Sequence, residues 1–420
     1  MSERFLKLRG FLDIYGDDLH FFEVIENTFR KYAKIYGFEE IKLPILERTE
    51  LFVRGIGEGS DIVRKEMFSF RDRGDRDVTM RPEGTAGVVR AFLENNFLNE
   101  PKYHKLFYIG AMFRAERPQA GRLRQFHQAG IEWFGSDSPL IDFESITMLW
   151  YILRELGISD KVKLVINNVG CRECVPNYKK ILISFFDENI SEFCEDCKER
   201  RNKNILRVFD CKNHSCQNTL KSAPKIKEYL CSNCKHHLDN LSTLLSKEGI
   251  SFVIDDNLVR GLDYYTRNVF EIKYEGIGTQ NAIAGGGRYN NLVSEFGGPE
   301  IPAFGFAIGI ERTILALKEN INIPKKISVA ICNASSNEIE PLFKIAKTLR
   351  NKGITTHTLF HIGNLNKQMK LANKIGVKFT IIVGEEELKE NKVSLKNMET
   401  GEQNKMPIED IINILSNATT

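Results

Sequence analysis

The stretch FRAERPQAGRLRQFHQ, Phe113 to Gln128, carries four arginines: Arg114, Arg117, Arg122 and Arg124. Guanidiniums at that density repel one another unless an anion lies among them. Their forked donors suit phosphate oxygens. A Pro-Gln-Ala-Gly turn sits between two strand-like flanks, so residues 105 to 135 read as a hairpin. Alternate residues of a strand share a face. Arg122, Arg124, Phe126, Gln128, Gly130 and Glu132 would then present two cations, a ring, an amide and a carboxylate in series. Arg114 and Glu116 lie on the arm before the turn. A nucleotide triphosphate fits that set, with Phe126 stacking on a flat base. A solvated hairpin whose charges pair with Glu116 and Glu132 fits equally well on these residues alone.

Three further segments carry comparable chemistry. In VRGLDYYTRNVFEI, Arg260 sits among apolar residues and so needs an anionic partner. Either a ligand or Asp263 would serve, and Tyr264 and Tyr265 come directly after it. AIAGGGRYNNL has three adjacent glycines that permit a close backbone approach, but no Lys-Ser/Thr comes next, so it is not a phosphate loop. In FGFAIGIERTIL the small residues Gly305, Ala307 and Gly309 open space along a strand. Arg312 stands at the start of the next helix, where a cation opposes the helix dipole and a bound anion would offset the cost. Together these segments predict a nucleotide-phosphate site in the first three quarters of the chain.

The bulk numbers set the frame. At 420 residues the chain is long enough for two or three domains. A formal net charge of +3 provides no whole-molecule field to attract nucleic acid. The N-terminal residues lack the apolar run of a signal peptide, and no stretch approaches a membrane span. A cytoplasmic protein with no membrane association is the expectation.

Periodicity predicts a helix over residues 17 to 36, stopped by Gly37. EEIKLPILE reads as a strand broken by Pro44. KEMFSFRDRGDRDVTM reads as a hairpin, and RPEGTAGVVRAFLENN as a loop entering a helix with proline near its first turn. A helix ended by Gly157 and the strand KVKLVINNVG come next. Eight of the nine cysteines fall between Cys171 and Cys234, marking an insertion. A linker is expected at 323 to 326. Beyond it, strands and helices alternate as in a small α/β domain.

These segments resemble histidyl-tRNA synthetase, a class II aminoacyl-tRNA synthetase, over nearly the whole chain. The first helix and Pro44 resemble motif 1, FRAERPQAGRLRQFHQAGIEWFG motif 2 and FGFAIGIERTIL motif 3. RGLDYY and AGGGRYNNL resemble stretches peculiar to the histidine enzyme, and RGLDYY with RQFHQ and RPEGT is highly specific. The implied fold is α+β. It comprises an antiparallel-sheet catalytic core with helices over 1–170 and 241–324, an inserted Cys-rich and mostly helical domain over 171–240, and an α/β anticodon-binding domain over 325–420.

The resemblance also implies roles. Arg114 would grip the ATP α-phosphate and the amino-acid carboxylate. Glu116 would lie near the adenine amino group, with Phe126 under the ring. Arg122 and Arg312 would hold the γ-phosphate. Glu83, Gly84 and Thr85 would meet the histidine α-amino group, and Gln128 the carboxylate side. Glu132, Tyr264, Tyr265 and Tyr289 would enclose the imidazole. Arg260, with Arg114 and Gln128, would carry catalysis, assisted by Mg²⁺. The implied activity is ligation of L-histidine to tRNA(His) at the expense of ATP, by a homodimer. A non-catalytic paralogue, the regulatory subunit of ATP phosphoribosyltransferase, resembles the same core. It typically lacks the C-terminal domain and departs from the arginine set.

Two readings remain from spacing. Residues 325 to 420 hold fourteen Lys/Arg against ten Asp/Glu, a balance consistent with RNA backbone contacts. Lys367, Lys370 and Lys374 fall at helical spacing, which a solvated face explains as well. Cys171–Cys174, Cys194–Cys197 and Cys231–Cys234 are CxxC pairs, with Cys211 and Cys216 a looser fourth. Two such knuckles can close a tetrahedral zinc site, and the quartet expected is Cys194, Cys197, Cys231 and Cys234. Cysteine is also a small buried apolar residue, and the resemblance supplies no metal here.

Overall fold

The computed structural model describes residues 5–95, 97–99, 104–278, 281–320, 328–334 and 339–417. The chain divides into two compact units, 1–322 and 323–420. Among the described residues no helix is long and apolar enough to cross a membrane.

The first unit opens with α1 (Gly16–Ile35), whose Phe22, Ile25, Phe29 and Ala33 are buried. Their three- and four-residue spacing makes one apolar face, and Gly37, at φ +79°, ends the helix. Pro44 separates two short strands that belong to different sheets, β1 (Glu39–Glu40) and β2 (Leu46–Arg48). After α2 (Thr49–Ile56), β3 (Phe68–Arg71) and β4 (Asp77–Met80) form the expected hairpin and pair with β2 in a three-stranded sheet. Helix α3 (Thr85–Glu94) begins three residues after Pro82. The proline therefore lies in the entry loop, outside the first helical turn.

The large sheet comes next, with β5 (His104–Phe113), β6 (Gln125–Phe134) and, beyond α4 (Pro139–Glu155), β7 (Val162–Asn168). Helices α5 (Val175–Glu188), α6 (Glu195–Lys203), α7 (His214–Leu220) and α8 (Ser232–Lys247) build the Cys-rich region. They surround their own core of Tyr178, Leu182, Phe186, Leu220 and the cysteines. Helix α8 continues past residue 240 to Lys247. Strands β8 (Phe252–Ile254), β9 (Thr266–Tyr274) and β10 (Ala282–Arg288), helix α9 (Leu292–Glu295), strand β11 (Ala303–Gly309) and helix α10 (Ile310–Asn320) complete the unit. The sheet order is β1-β5-β6-β11-β10-β9-β7-β8. Within it the edge pairs β1–β5 and β7–β8 run parallel, and the inner pairs run antiparallel.

Strand register makes one face of this sheet unusually bare. Gln128, Gly130 and Glu132 on β6 face Gly309, Ala307 and Gly305 on β11. Ala307 faces Gly285 on β10, and Gly285 faces Glu271 on β9. With so few side chains standing on it, this face can floor a cleft. Arg288, the arginine of the AGGGRY stretch, points elsewhere. It is fully buried and forms an ion pair with the equally buried Asp142 of α4 at 2.7 Å. Asn268 Nδ2 donates to the other Asp142 oxygen at 2.9 Å, and Asn168 Nδ2 donates to Asn268. Burial holds the Asp142 carboxyl above its usual range, even against Arg288.

The second unit has the alternation read from its sequence. The expected linker at 323 to 326 lies outside the described residues. Strand β12 (Ser328–Asn333) is followed by α11 (Glu340–Asn351), β13 (Thr355–Thr358), α12 (Leu365–Ile375) and β14 (Phe379–Val383). A short α13 (Glu385–Lys389), unforeseen in the sequence, precedes the hairpin β15 (Val393–Asn397) and β16 (Gln403–Met406) and then α14 (Ile408–Asn417). The sheet order is β13-β12-β14-β15-β16, with β12 parallel to both of its neighbours. Cys332 is buried in β12, an apolar core position.

Candidate active site

A cleft of about 780 Å³ lies over the bare face. Its walls include Glu83, Thr85, Arg114, Glu116, Arg122 and Phe126. Gln128, Arg260, Tyr264, Tyr265, Tyr289 and Arg312 line it too, whereas Gly84 and Glu132, also singled out in the sequence, do not. Residues far apart in the chain thus converge on one cavity. Glu132, on the same strand face as Gln128 and Gly130, is 1 % exposed.

The hairpin differs from expectation in its tip. Strand pairing stops at Phe113 and Gln125, so residues 114–124 form a loop stitched by a Gln119–Arg122 bridge. Arg122 and Arg124 therefore do not share a strand face with Phe126. Glu116 pairs with Arg122 at 2.7 Å, as the solvated reading had it. Glu132 takes its hydrogen bonds from a threonine and a tyrosine instead of an arginine. Arg124 turns away from the cleft, and its Nε donates to the Glu116 carbonyl at 3.3 Å.

At the cationic end burial weighs most on Arg312. Arg312 donates to the carbonyls of Gly121 (3.0 Å) and Ala282 (2.5 Å). Its guanidinium pKa is pushed down to about 10, first by burial and then by the Arg122 charge, with Arg114 adding to it. Among the described residues the buried Nε atoms of Arg122 and Arg260 have no hydrogen-bond partner. Arg114 donates from Nε to Pro82 O at 3.0 Å and stacks its guanidinium over Phe126, 5.1 Å from the ring centroid. Such an array of fixed donors suits a polyanion.

Arg260 is not paired with Asp263. It pairs with Glu271 of β9 and lies 5.7 Å from the Tyr265 ring centroid. Asp263 is taken by Arg207 at 2.9 Å and by Asn204 at 3.0 Å, both from the Cys-rich region. Burial works against the Arg260 charge, but Glu271 and the tyrosines more than offset it and raise its pKa. Gly285 makes the position available, because a Cβ there would lie 2.5 Å from Arg260 Nη1.

The other end is a neutral-to-acidic pocket. Thr85 Oγ1 donates to Glu132 Oε1 at 2.6 Å, and Tyr289 OH donates to Oε2. The rings of Tyr264 and Tyr289 lie 5.6 Å apart at 67°, and Tyr265 lies 4.7 Å from Tyr264. Gly305 leaves room for the Glu132 carboxylate, which any side chain there would strike. Glu83 accepts the Thr85 and Ala86 amides at 2.6 and 2.8 Å, fixing the start of α3. Gly84 packs under the Tyr108 ring with no space for a Cβ. Burial pushes the Glu132 carboxyl well above the usual range, against the hydrogen bonds from Thr85 and Tyr289. The Gln128 Oε1 acceptor is buried without a partner among the described residues.

Several cleft residues went unread in the sequence. Glu271 and Lys273 stand on the cleft side of β9, where Phe270 and Ile272 are buried on the other. That alternation was legible and would have found them. Glu311 accepts the His127 amide and ring Nδ1, a pairing across the fold that no local pattern shows. The quartet Cys194, Cys197, Cys231 and Cys234 is not one cluster. Cys171, Cys174, Cys231 and Cys234 converge, and separately Cys194, Cys197, Cys211 and Cys216. Each CxxC pair meets the partner that the helix ends bring to it, which spacing alone does not determine.

Known proteins resemble this chain over nearly its whole length. The family model described as Histidyl-tRNA synthetase matches residues 10–313, and that of an anticodon binding domain matches residues 326–418. The histidine–tRNA ligase of Halothermothrix orenii is 47 % identical over 407 residues, covering 96 % of this chain and 97 % of the relative. That of Thermodesulfovibrio yellowstonii is 45 % identical, covering 97 % of each. The crystal structure of apo S. aureus histidyl-tRNA synthetase is 34 % identical with a TM-score of 0.79, covering 98 % of this chain and 100 % of that one.

Proposed function

The chain belongs to the histidyl-tRNA synthetase family, and on that premise we propose how its own residues perform histidine–tRNA ligation. In the first step the histidine carboxylate attacks the α-phosphorus of ATP in line, pyrophosphate leaves, and histidyl-adenylate forms. In the second, the terminal ribose hydroxyl of tRNA(His) takes the histidyl group and AMP leaves. No finding favours the regulatory-subunit reading: the relatives matched over nearly the full chain are histidine–tRNA ligases.

The observation that carries the assignment is the shared cavity, with four arginines at one end and the Glu132–Tyr289–Tyr264 pocket beside them. Arg122 and Arg312 hold the γ-phosphate, and Phe126 and Glu116 hold the adenine. Arg114 and Arg260 face the α-phosphate, where charge grows as the carboxylate approaches, and fixed donors aimed there lower the barrier. Gln128, with its buried acceptor, suits the substrate's donors near the carboxylate, and Glu83, Gly84 and Thr85 frame its α-amino group. An imidazole has two nitrogens to satisfy, which Glu132 and the tyrosine hydroxyls match. Phenylalanine would leave those groups unpaired and be rejected. Glu271 and Glu311 line the cleft, and their carboxylate oxygens are the donor type that would fit Mg²⁺. When bound with the triphosphate, the ion supplies charge neutralisation. Pyrophosphate exchange run across the standard amino acids tests the assignment. Exchange with histidine alone is expected, and exchange with another amino acid, or none, would overturn it.

The electrostatics of the two ends give one prediction each. Hydrogen bonds to charged groups contribute about 1.5–3 kcal/mol, so Arg312→Gln should raise KM for ATP about ten- to a hundredfold. It should also shrink the rise in Tm that ATP produces, and an unchanged KM would remove Arg312 from the phosphate site. The second concerns Glu132. A carboxyl raised on folding contributes stability that is complete below the unfolded pKa and lost as pH rises through the folded one. Histidine brings positive groups into that pocket, lowers the Glu132 pKa and so releases a proton. Titration calorimetry in two buffers of different ionisation heat, repeated across pH, should show proton release on histidine binding, reduced in Glu132→Gln. Equal heats in both buffers for the wild type would contradict this role.

The C-terminal unit is read as the anticodon-binding part, on the family match to 326–418. The reading also carries a cytoplasmic location and a homodimer joined around α1 and Pro44. Ile45 and Leu46, each 47 % exposed beside that proline, support the dimer. Sedimentation at twice the 48.1 kDa chain mass is expected, and a monomer would refute it.

A further inference from the structure

The eight cysteines of the insertion form two separate quartets, and all four sulfurs of each lie within 4.8 Å of one another. The first joins Cys171 and Cys174, ahead of α5, to Cys231 and Cys234 at the start of α8. The second joins Cys194 and Cys197, at the start of α6, to Cys211 and Cys216 around the start of α7. Individual Sγ–Sγ separations are 3.6 Å for Cys171–Cys174, 3.8 Å for Cys171–Cys231, 3.7 Å for Cys174–Cys234 and 3.7 Å for Cys194–Cys211.

These distances discriminate between chemistries. A disulfide places its sulfurs about 2.05 Å apart. Four thiolates at about 2.3 Å around one tetrahedral Zn²⁺ are separated by about 3.8 Å, the edge of that tetrahedron. In an iron–sulfur cluster the cysteines bind different irons and must spread more widely. Backbone amides also point at the sulfurs: Cys171 N to Cys174 Sγ at 3.1 Å, Cys194 N to Cys216 Sγ at 3.2 Å, and Asn213 N to Cys211 Sγ at 3.4 Å. Such donors stabilise sulfur that carries negative charge. Cys197, Cys216 and Cys234 are fully buried, and four like charges in such a place require a cation among them.

We propose that the insertion binds two Zn²⁺ ions, each through one of these cysteine quartets, and that the Cys194 centre positions the loop carrying Arg260. The chain between Cys197 and Cys211 bears Asn204 and Arg207. Arg207 is 6 % exposed. Its Nε donates to Asp263 at 2.9 Å and its Nη2 to the Gly261 carbonyl at 2.6 Å. Asn204 Nδ2 donates to the same Asp263 oxygen at 3.0 Å. Cys194 and Cys211 themselves line the cleft. The metal thus closes the base of a segment whose tip clamps Gly261 and Asp263, the two residues that flank Leu262 just after Arg260. The Cys171 centre joins the ends of α5 and α8 and holds the insertion to β7, where Asn168 Nδ2 donates to the Cys234 carbonyl at 3.1 Å. Cys332, buried in the second unit, takes no part.

The positioning part rests on the cleft being the activation site, whereas the metal content does not. The full chain, purified in reductant without chelator, should contain two zinc per chain by elemental analysis. Cys216→Ser and Cys234→Ser should each retain one, and Cys216→His, which supplies another zinc ligand, should restore the second. Co²⁺ exchange should give thiolate-to-metal absorption at both centres. Cys216→Ser should lower kcat for histidine-dependent exchange about ten- to a hundredfold with little change in KM for ATP. Arg207→Met should do the same with both zincs retained, separating the clamp from folding. Folded chain with no metal, with iron in place of zinc, or with no free thiols in its metal-stripped form would overturn the centres. Undiminished kcat in Arg207→Met would overturn the positioning role. Two zincs in a chain without any exchange activity would leave the centres standing and sink the functional reading instead.

Discussion

Arg260→Gln lowers kcat for histidine-dependent pyrophosphate exchange by about two to three orders of magnitude, the usual loss when one preorganised donor to a growing negative charge is removed. Three features of the site argue for so large an effect. Glu271 holds the guanidinium from the floor strand, so it is oriented before substrate arrives. Its buried Nε has no partner among the described residues. Gly285 beneath it excludes any side chain that would displace it. Glutamine keeps much of the shape and loses the charge. KM for ATP should move far less than kcat, because Arg122 and Arg312 grip the distant phosphate. Burst kinetics separates the chemical step from product release. A kcat within tenfold of wild type would show that Arg260 is a structural partner of Glu271 and nothing more.

Asp142→Ala costs about 3–5 kcal/mol of folding stability, the range for breaking a buried ion pair at one partner. The reason is what it leaves behind. Arg288 has no exposed surface, and without Asp142 its charge would be left with Asp137 at 3.5 Å and the carbonyls of Ser136 and Ser138. Asn268 would lose its acceptor as well. Denaturant titration of wild type and variant measures the loss, and a change below about 1 kcal/mol would mean the pair is not buried as described. Asp142→Asn, which keeps an oxygen for Asn268, should fall between the two.

Much of this architecture could be read along the chain because it rests on local patterns. The apolar face of α1 and the strand–helix alternation after residue 328 depend on periodicities of a few residues. Pro44 splitting two strands depends on one missing amide. The small residues of β11 announced open space, and the register with β6 and β10 turns that space into a cleft floor. What local reading could not supply was the pairing of distant groups. Arg260 was open to Asp263 three residues away, yet tertiary packing gave it Glu271 and gave Asp263 to Arg207. The arginine of AGGGRY sat in a stretch that suggested ligand approach, but of its glycines only Gly285 lines the cleft, Gly286 and Gly287 pack against neighbouring strands, and the arginine serves the core. The cysteine spacing showed the CxxC pairs, but the quartet drawn from it mixed two separate clusters. Which knuckle meets which is decided by where helices α5 to α8 end in space.

The family's sequence motifs located the residues. The structure adds how they lie together: guanidiniums from distant segments line one cleft, burial and then the Arg122 charge push the Arg312 pKa down to about 10, and burial pushes the Glu132 carboxyl well above its usual range.

The most direct measurement is a crystal structure of the chain with a non-hydrolysable ATP analogue and histidinol. The account predicts one nucleotide per chain in the cleft. Its terminal phosphate should lie within hydrogen-bonding reach of Arg122 and Arg312, its α-phosphate facing Arg114 and Arg260, and the imidazole between Glu132 and Tyr264. A nucleotide bound elsewhere, or phosphates that leave those four guanidiniums uncontacted, would contradict it.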